Sequence, residues 1–219
     1  MNHPSIHTFF TFVLDALVPG KKKKEFRRIT QLELAVKLRP RTVPNHPYAT
    51  VFFSYKDPGI KDLIWLLKYH GQKDIADDIA EVVYGAVLED LSDELILGNF
   101  TGPLLVPVPV AKDAPRRHGY NHADALASAL VRADNGKTFE LADVLQKRVG
   151  VQNQAQVKNR KARFENIKGV LSVKNPSEVA GRNIIIVDDV VTTGATIGEA
   201  RLTLLASGAR TVRALAVAH

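Results

Sequence analysis

Two adjacent carboxylates, Asp188 and Asp189, end an apolar run near the C-terminal end of the sequence. The four residues before them are β-branched, which favours a buried strand. A helical pattern begins soon after them, and the turn between the two, the motif loop, consists of small residues: Thr192, Thr193, Gly194, Ala195 and Thr196. Amides at a helix N-terminus bind anions, and threonine hydroxyls add donors. The sequence therefore predicts a phosphate-binding loop beside two carboxylates that could accept hydrogen bonds from sugar hydroxyls or hold hydrated Mg²⁺.

Gly194 is expected to supply backbone angles that other residues avoid, and a β-branched replacement is expected to crowd the bound anion. A Rossmann-like strand that merely ends in acidic residues is the alternative interpretation of this segment. That alternative explains the apolar run, but it does not explain the combination of the acidic pair with the motif loop.

A second polar constellation follows residues 103–110 (PLLVPVPV), which predict a strand that ends in prolines. Arg116 and Arg117 lie in the basic loop behind this strand, and guanidinium groups suit bidentate contact with diphosphate oxygens. Residues 147–168 contain few apolar side chains, and a polar connection of this length is often a mobile, functional loop.

Strands alternate with helices along most of the chain, which indicates a parallel α/β sheet with ligands beyond the carboxyl ends of its strands. The hydrophobic pattern predicts strands at 49–55, 103–110, 144–148, 170–173, 183–188 and 212–217, and helices at 9–18, 31–38, 60–67, 75–86, 121–131 and 195–206.

Composition limits the class of protein. The chain has 219 residues and 45% hydrophobic residues, as expected for one globular domain with an arm. The absence of cysteine excludes disulfides and thiolate metal sites and fits a reducing, cytoplasmic location, and no apolar run reaches the length of a membrane span.

The positive charge is concentrated in the N-terminal arm. The net charge is +7 for the chain, and the first 60 residues account for +6 of it. The centre of this basic segment is a lysine run: Lys21, Lys22, Lys23 and Lys24. Such a run can bind nucleic acid or anionic lipid, and a solvated surface loop is the alternative that we favour for so short a run.

The segment VDDVVTTGAT resembles the motif by which type I phosphoribosyltransferases bind 5-phosphoribosyl 1-diphosphate (PRPP). Further segments resemble the ComF family, a branch that includes competence-associated proteins. They are PVP at 107–109, GYN at 119–121, and the spaced residues Arg148, Gln154, Arg163 and Asn166. The resemblance implies a Rossmann-like parallel sheet over residues 49–219, with a basic N-terminal arm or hood over 1–48.

The same resemblance implies roles for individual residues. Asp188 and Asp189 would engage the ribose hydroxyls and Mg²⁺ through water, and the motif loop would wrap the 5′-phosphate. Diphosphate binding falls to Val108, Pro109, Arg116 and Arg117, and the flexible loop carries Arg148, Gln154 and Arg163. The implied reaction transfers a phosphoribosyl group to a nitrogen acceptor and releases diphosphate; a homodimer is compatible with it.

Two departures from the family pattern, and one difference from purine-salvage relatives, bear on activity. The four-cysteine zinc module that many members carry has no counterpart here. His118 and His122 stand where the family usually has Arg and Gln. Contact with phosphate is one interpretation of these two histidines, and solvated side chains are the interpretation that we favour. Thr192 replaces the carboxylate base of purine-salvage relatives. The alternative function is therefore a non-catalytic, PRPP- or nucleotide-binding protein of the competence type, involved in DNA uptake or handling.

Overall fold

A computed structural model describes residues 31–70, 73–97, 100–110, 121–148 and 169–219. The strands are β1 (Arg41–Val43), β2 (His46–Phe53), β3 (Leu104–Pro107), β4 (Glu140–Leu141), β5 (Leu145–Lys147), β6 (Leu171–Val173), β7 (Asn183–Val190) and β8 (Thr211–Ala218). The helices are α1 (Pro58–His70), α2 (Lys73–Ile96), α3 (His122–Asp134) and α4 (Ala195–Ala206), with a 3₁₀ turn at Pro176–Glu178.

A six-stranded sheet in the order β1-β2-β8-β7-β3-β4 organises the described chain. Every pairing in it is parallel except that of β1 with β2, so the predicted parallel α/β sheet is confirmed. β5 and β6 form a separate antiparallel pair. Since β7 lies between β8 and β3, its carboxyl end reaches the middle of the sheet edge where ligands of such folds bind.

Helices cover both faces of the sheet, and the side chains of β7 divide between them. Ile185 and Val187 pack on the face that carries α1, α2 and α3. Ile184 and Ile186 pack on the opposite face, together with α4 and the β5–β6 pair. This alternation is the period of two that a strand imposes, and β7 reads as a continuous apolar run because both faces are covered.

The sheet extends into the predicted N-terminal arm. β1 lies wholly within it, and β2 begins at His46, so a boundary between residues 48 and 49 divides a strand. Residues 31–37 are helical, and Leu34 is buried in the core. In the part of the chain that the structure describes, no helix has both the length and the apolar character needed to cross a membrane.

Candidate active site at the carboxyl end of β7

The acidic pair lies at the end of β7, and its two carboxylates start from opposite faces of the sheet. Asp189 continues the side of Ile185 and Val187, and its residue is only 3% exposed. Asp188 continues the opposite side and is half-buried. Oxygens of both side chains nevertheless approach one another at the strand end, within 4.8 Å.

Lys68 of α1 forms an ion pair with the buried carboxylate. Its Nζ lies 2.7 Å from Oδ2 of Asp189. Burial acts to lower the pKa of Lys68, but the carboxylates of Asp189 and Asp188 outweigh it and hold the pKa above its usual value. The charge of Asp189 is thus neutralised from within the fold.

His122, the first residue of α3, approaches the same carboxylate from a second element. Its Nε2 lies 3.6 Å from Oδ1 of Asp189, and the side chain is 22% exposed. The interpretation of His122 as a solvated histidine is therefore wrong, because α3 begins beside the end of β7 and directs this side chain onto it. Burial lowers the pKa of His122, while the Asp189 carboxylate opposes that shift.

Asp188 occupies a different electrostatic environment. Burial and the adjacent carboxylate of Asp189 raise the pKa of Asp188 to about 8, although its Oδ1 accepts a hydrogen bond of 2.9 Å from the Asp189 amide. Lys147 of β5 interacts electrostatically with Asp188. Burial lowers the pKa of Lys147, and the Asp188 carboxylate acts against that shift. Cations on both faces therefore flank the acidic pair.

The donor set of this site fits a divalent cation. One ligand atom each from His122, Asp188 and Asp189 lie within 4.8 Å of one another. Carboxylate oxygens are the ligands that Mg²⁺ prefers, and Mg²⁺ usually keeps several waters. Because Lys68 already occupies one oxygen of Asp189, the oxygens of Asp188 and the remaining oxygen of Asp189 are the atoms suited to hold a hydrated ion.

The motif loop connects β7 to α4 and opens the helix without a side-chain cap. Gly194 is the N-cap residue at φ +76°, and among the described residues no side chain caps the helix there. The Ala195 amide has only a long 3.4 Å contact with Thr193 Oγ1. The first-turn amides of α4 are thus oriented as in an anion-binding helix N-terminus, which agrees with the backbone conformation expected of Gly194.

His46 at the start of β2 packs against this glycine. Its Nε2 lies 3.2 Å from the Thr193 carbonyl oxygen, and its Nδ1 lies 2.8 Å from the Tyr48 hydroxyl. A carbonyl can only accept, so Nε2 carries the proton and Nδ1 accepts from Tyr48. A Cβ at residue 194 would lie 2.0 Å from His46 Nε2. A larger residue at position 194 would therefore meet this imidazole, and the expected crowding of a bound anion stays a prediction.

Tyr48 links His46 to helix α4. The Arg201 guanidinium carbon lies 4.5 Å from the centre of the Tyr48 ring, within the range of a cation–π contact. The turn at residues 43–46 is thereby held against both the loop and the helix that follow the acidic pair.

The remaining predicted site residues divide into two groups. Val108 is held beside β7, since its amide donates to the Val187 carbonyl at 3.0 Å and its carbonyl accepts from Asn121 at 3.3 Å. Pro109 follows it, and Arg148 is exposed at the end of β5. The others lie outside the described residues: Arg116, Arg117, His118, Gln154, Arg163 and the lysine run at 21–24.

Comparison with known proteins agrees with this geometry. The phosphoribosyl transferase domain family matches residues 114–219. DNA utilization protein YhgH of Escherichia coli O6:H1 is 30% identical over 156 residues, which are 71% of this chain and 65% of that protein. Competence protein ComFC of Bacillus subtilis is 33% identical over 105 residues, 48% of this chain and 39% of that protein. The chain belongs to the ComF family of type I phosphoribosyltransferase-like proteins.

This ComF-family chain spans just under two thirds of the length of the first YhgH relatives it matches. Among solved structures it is similar to hypoxanthine phosphoribosyl transferase of Trypanosoma cruzi, with a TM-score of 0.40, 10% identity and 64% of each chain covered. The family assignment predicted from the motifs is confirmed, while the role of each residue remains to be tested.

Sequence reasoning missed most of the residues that surround the acidic pair in this ComF-family protein. Lys68 and Lys147 lie on elements 120 and 41 positions before Asp188, and no local pattern joins them to it. Spacing could not have found them, because only the stacking of α1 and β5 on opposite faces of β7 brings them to its end. A turn signal at Pro44 and Asn45 could have indicated the hairpin that carries His46.

Proposed function

We propose that this ComF-family protein binds PRPP together with Mg²⁺ and transfers the phosphoribosyl group to a nitrogen acceptor, with release of diphosphate. The observation that carries the proposal is the order of groups at the end of β7. Two carboxylates are followed directly by a loop with Gly194 at positive φ and by the uncapped N-terminus of α4. Such a site offers acceptors for sugar hydroxyls next to donors for a phosphate.

Different residues of the site bind different parts of PRPP. The amides and hydroxyls of the motif loop bind the 5′-phosphate, and the carboxylates of Asp188 and Asp189 accept hydrogen bonds from the ribose hydroxyls. Lys68 fixes the orientation of the Asp189 carboxylate through their ion pair. Mg²⁺ held near Asp188 would supply charge neutralisation for the leaving diphosphate.

Electrostatic preorganisation would account for most of the rate. Positive charge develops at the anomeric carbon as the bond to diphosphate breaks, and carboxylates held in place by the fold stabilise it without reorganisation. Diphosphate binding is assigned to Val108 and Pro109, which follow β3, and to the arginines at 116 and 117. A loop that covers the site is assigned to Arg148, Gln154 and Arg163.

A second function is favoured by the threonine at position 192 and by the relatives. A threonine does not take a proton near neutral pH, so the motif loop itself lacks a general base. Relatives bear the names DNA utilization protein and competence protein. The second proposal is a non-catalytic protein that binds PRPP or a nucleotide in DNA uptake or handling, with the lysine run contacting nucleic acid. A cytoplasmic location and a homodimer accompany both proposals.

Calorimetry with PRPP in the presence and absence of Mg²⁺ tests the shared binding step. Release of diphosphate over a panel of nitrogen acceptors then separates the two functions. PRPP binding with acceptor-dependent diphosphate release supports transfer, and binding without release supports the second function. Absence of PRPP binding at millimolar ligand with Mg²⁺ present would overturn both.

A further inference from the structure

Helix α3 begins beside the acidic pair and brings a nitrogen donor to it. Nε2 of His122, its first residue, lies 3.6 Å from Oδ1 of Asp189, and the imidazole side chain is 22% exposed. One ligand atom each of His122, Asp188 and Asp189 lie within 4.8 Å of one another. The donor set at this point is therefore mixed, with one imidazole nitrogen and two carboxylates.

The position of His122 is fixed by the start of its helix. Asn121 is the N-cap residue of α3, and its Oδ1 accepts a hydrogen bond of 3.1 Å from the Ala123 amide. Its Nδ2 donates to the Val108 carbonyl at 3.3 Å, and the Val108 amide donates to the Val187 carbonyl of β7 at 3.0 Å. Hydrogen bonds thus connect the strand that carries the acidic pair to the residue before His122. The fold itself therefore places this imidazole beside the two carboxylates.

The two oxygens of the Asp189 carboxylate have different surroundings. Nζ of Lys68 lies 2.7 Å from Oδ2, whereas Oδ1 is the oxygen that His122 approaches. Because the ammonium group of Lys68 offsets the charge of this carboxylate, it reduces the attraction of a further cation by charge alone. The preference among divalent ions then depends on which of them gains from a nitrogen ligand as well.

Divalent cations differ in their affinity for imidazole. Mg²⁺ prefers oxygen ligands and keeps several waters, so an imidazole adds little to its binding. Zn²⁺ and other late first-row transition-metal ions accept imidazole and carboxylate together. Ligand atoms that share one Zn²⁺ ion lie roughly 3–3.5 Å apart, since their bonds to it are about 2 Å long and tetrahedrally arranged. The 3.6 Å between Nε2 of His122 and Oδ1 of Asp189 is close to that separation.

We propose that His122 and the acidic pair form a site for a transition-metal ion of the Zn²⁺ type. Its protein ligands are Nε2 of His122, Oδ1 of Asp189 and a carboxylate oxygen of Asp188. The inference goes beyond the proposed function, because such a site binds its ion without PRPP. His122 stands where the family usually has Gln, so the preference for a transition metal over Mg²⁺ belongs to this chain and not to the family motif. Three protein ligands leave the fourth position of a tetrahedral ion to water or substrate.

Binding is measured first on the wild-type full chain without substrate. Protein labelled with ¹⁵N-histidine is titrated with Zn²⁺ and, separately, with Mg²⁺. We expect an equimolar amount of Zn²⁺ to shift the ring-nitrogen resonances of His122, and an excess of Mg²⁺ to move them far less. The proposal is wrong if Zn²⁺ shifts only other histidines or none, or if Mg²⁺ moves the resonances of His122 as much as Zn²⁺ does.

Calorimetry with Zn²⁺ on His122→Gln, which carries the residue usual in the family, tests the nitrogen donor. Loss of an outer-shell partner typically costs about 10–100-fold in metal affinity, and we expect loss of a ligand to weaken Zn²⁺ binding by at least as much. Asp188→Asn should also weaken Zn²⁺ binding. His219→Gln is the matched control, because it removes another described imidazole, at the residue after β8, and should leave the affinity unchanged. Equal Zn²⁺ affinity in the wild type and in folded His122→Gln would overturn the assignment.

These outcomes are separate from those that test the proposed function. Mg²⁺-dependent PRPP binding without an effect of Zn²⁺ on His122 would overturn the metal preference and leave the transferase proposal intact. Zn²⁺ binding at His122 in a protein that never binds PRPP would support the metal site and overturn the proposed function.

Discussion

Replacing Gly194 by alanine tests how the motif loop is held. The added Cβ would lie 2.0 Å from Nε2 and 2.3 Å from Cδ2 of His46, far inside contact distance. The imidazole must then move, which breaks its bonds to the Thr193 carbonyl and the Tyr48 hydroxyl. Alanine must also adopt φ +76°.

The expected loss of unfolding free energy has two parts. A left-handed backbone costs alanine roughly 1–2 kcal/mol, and two broken hydrogen bonds cost roughly 1–3 kcal/mol together. We therefore expect Gly194→Ala to lose about 2–5 kcal/mol. In a His46→Ala background only the backbone part should remain, so the two changes should couple by about 1–3 kcal/mol.

Urea unfolding of the wild type, the two single variants and the double variant measures the coupling. Calorimetry measures how tightly the motif loop binds ribose 5-phosphate. Gly181 is a matched control, because it has φ +73° and no atom within 4 Å of an added Cβ. Gly181→Ala should lose only the backbone part, and it should bind ribose 5-phosphate like the wild type. Equal losses in Gly194→Ala and Gly181→Ala, or additivity with His46→Ala, would refute the role assigned to His46.

Four further predictions concern charge. Asp188→Asn combined with Asp189→Asn should abolish Mg²⁺-dependent PRPP binding in calorimetry, and wild-type affinity would remove the pair from the site. Lys68→Met should lower the free energy of unfolding in urea by somewhat less than the ~3–5 kcal/mol expected on breaking a fully buried pair, since Lys68 is 32% exposed. Adding Asp189→Asn to that variant should recover part of the loss, and additive losses would contradict the ion pair. Because the pKa of Asp188 is raised to about 8 in the fold, its protonated side chain stabilises the wild type at low pH, and this stabilisation is lost as pH rises toward about 8. The stability of Asp188→Asn relative to the wild type should therefore increase between pH 5 and 9, and a constant difference would contradict the shift. Neutralising the lysine run at 21–24 should weaken any DNA binding and leave PRPP binding unchanged. Each lost contact with duplex phosphate should lower the slope of log K against log salt concentration by about 0.9. The nucleic-acid hypothesis is refuted if the wild-type protein has no DNA affinity at low salt.

Much of the sheet could be predicted because its strands are apolar runs bounded by turn signals. Helix α4 was predicted with its observed bounds, Ala195–Ala206, since its pattern begins at a glycine and ends before a serine–glycine pair. β7 runs two residues further than predicted, because pairing with β8 continues past the acidic pair. β4 has only two residues, and its pairing with β3 depends on tertiary position, so periodicity could not reveal it.

The site was predictable only where it is local in sequence. The acidic pair and the motif loop lie within nine residues, so their types and spacing carry the signal. Strand alternation could also have indicated that the two carboxylates leave opposite faces of the sheet. His122 could not be placed in this way, because its orientation depends on where α3 begins relative to β7.

The lysines around the acidic pair also bear on how a cation would be held. Lys68 neutralises Asp189, and the pKa of Asp188 is raised to about 8, so the pair carries little net negative charge near neutral pH before any ligand arrives. A pair compensated in this way attracts a free divalent ion weakly, yet its oxygens can still accept hydrogen bonds from sugar hydroxyls. In the proposed function, most of the charge that binds Mg²⁺ must therefore come from the diphosphate of the substrate. Coupling between the two ligands is reciprocal, so Mg²⁺ and PRPP would each strengthen the binding of the other by the same factor.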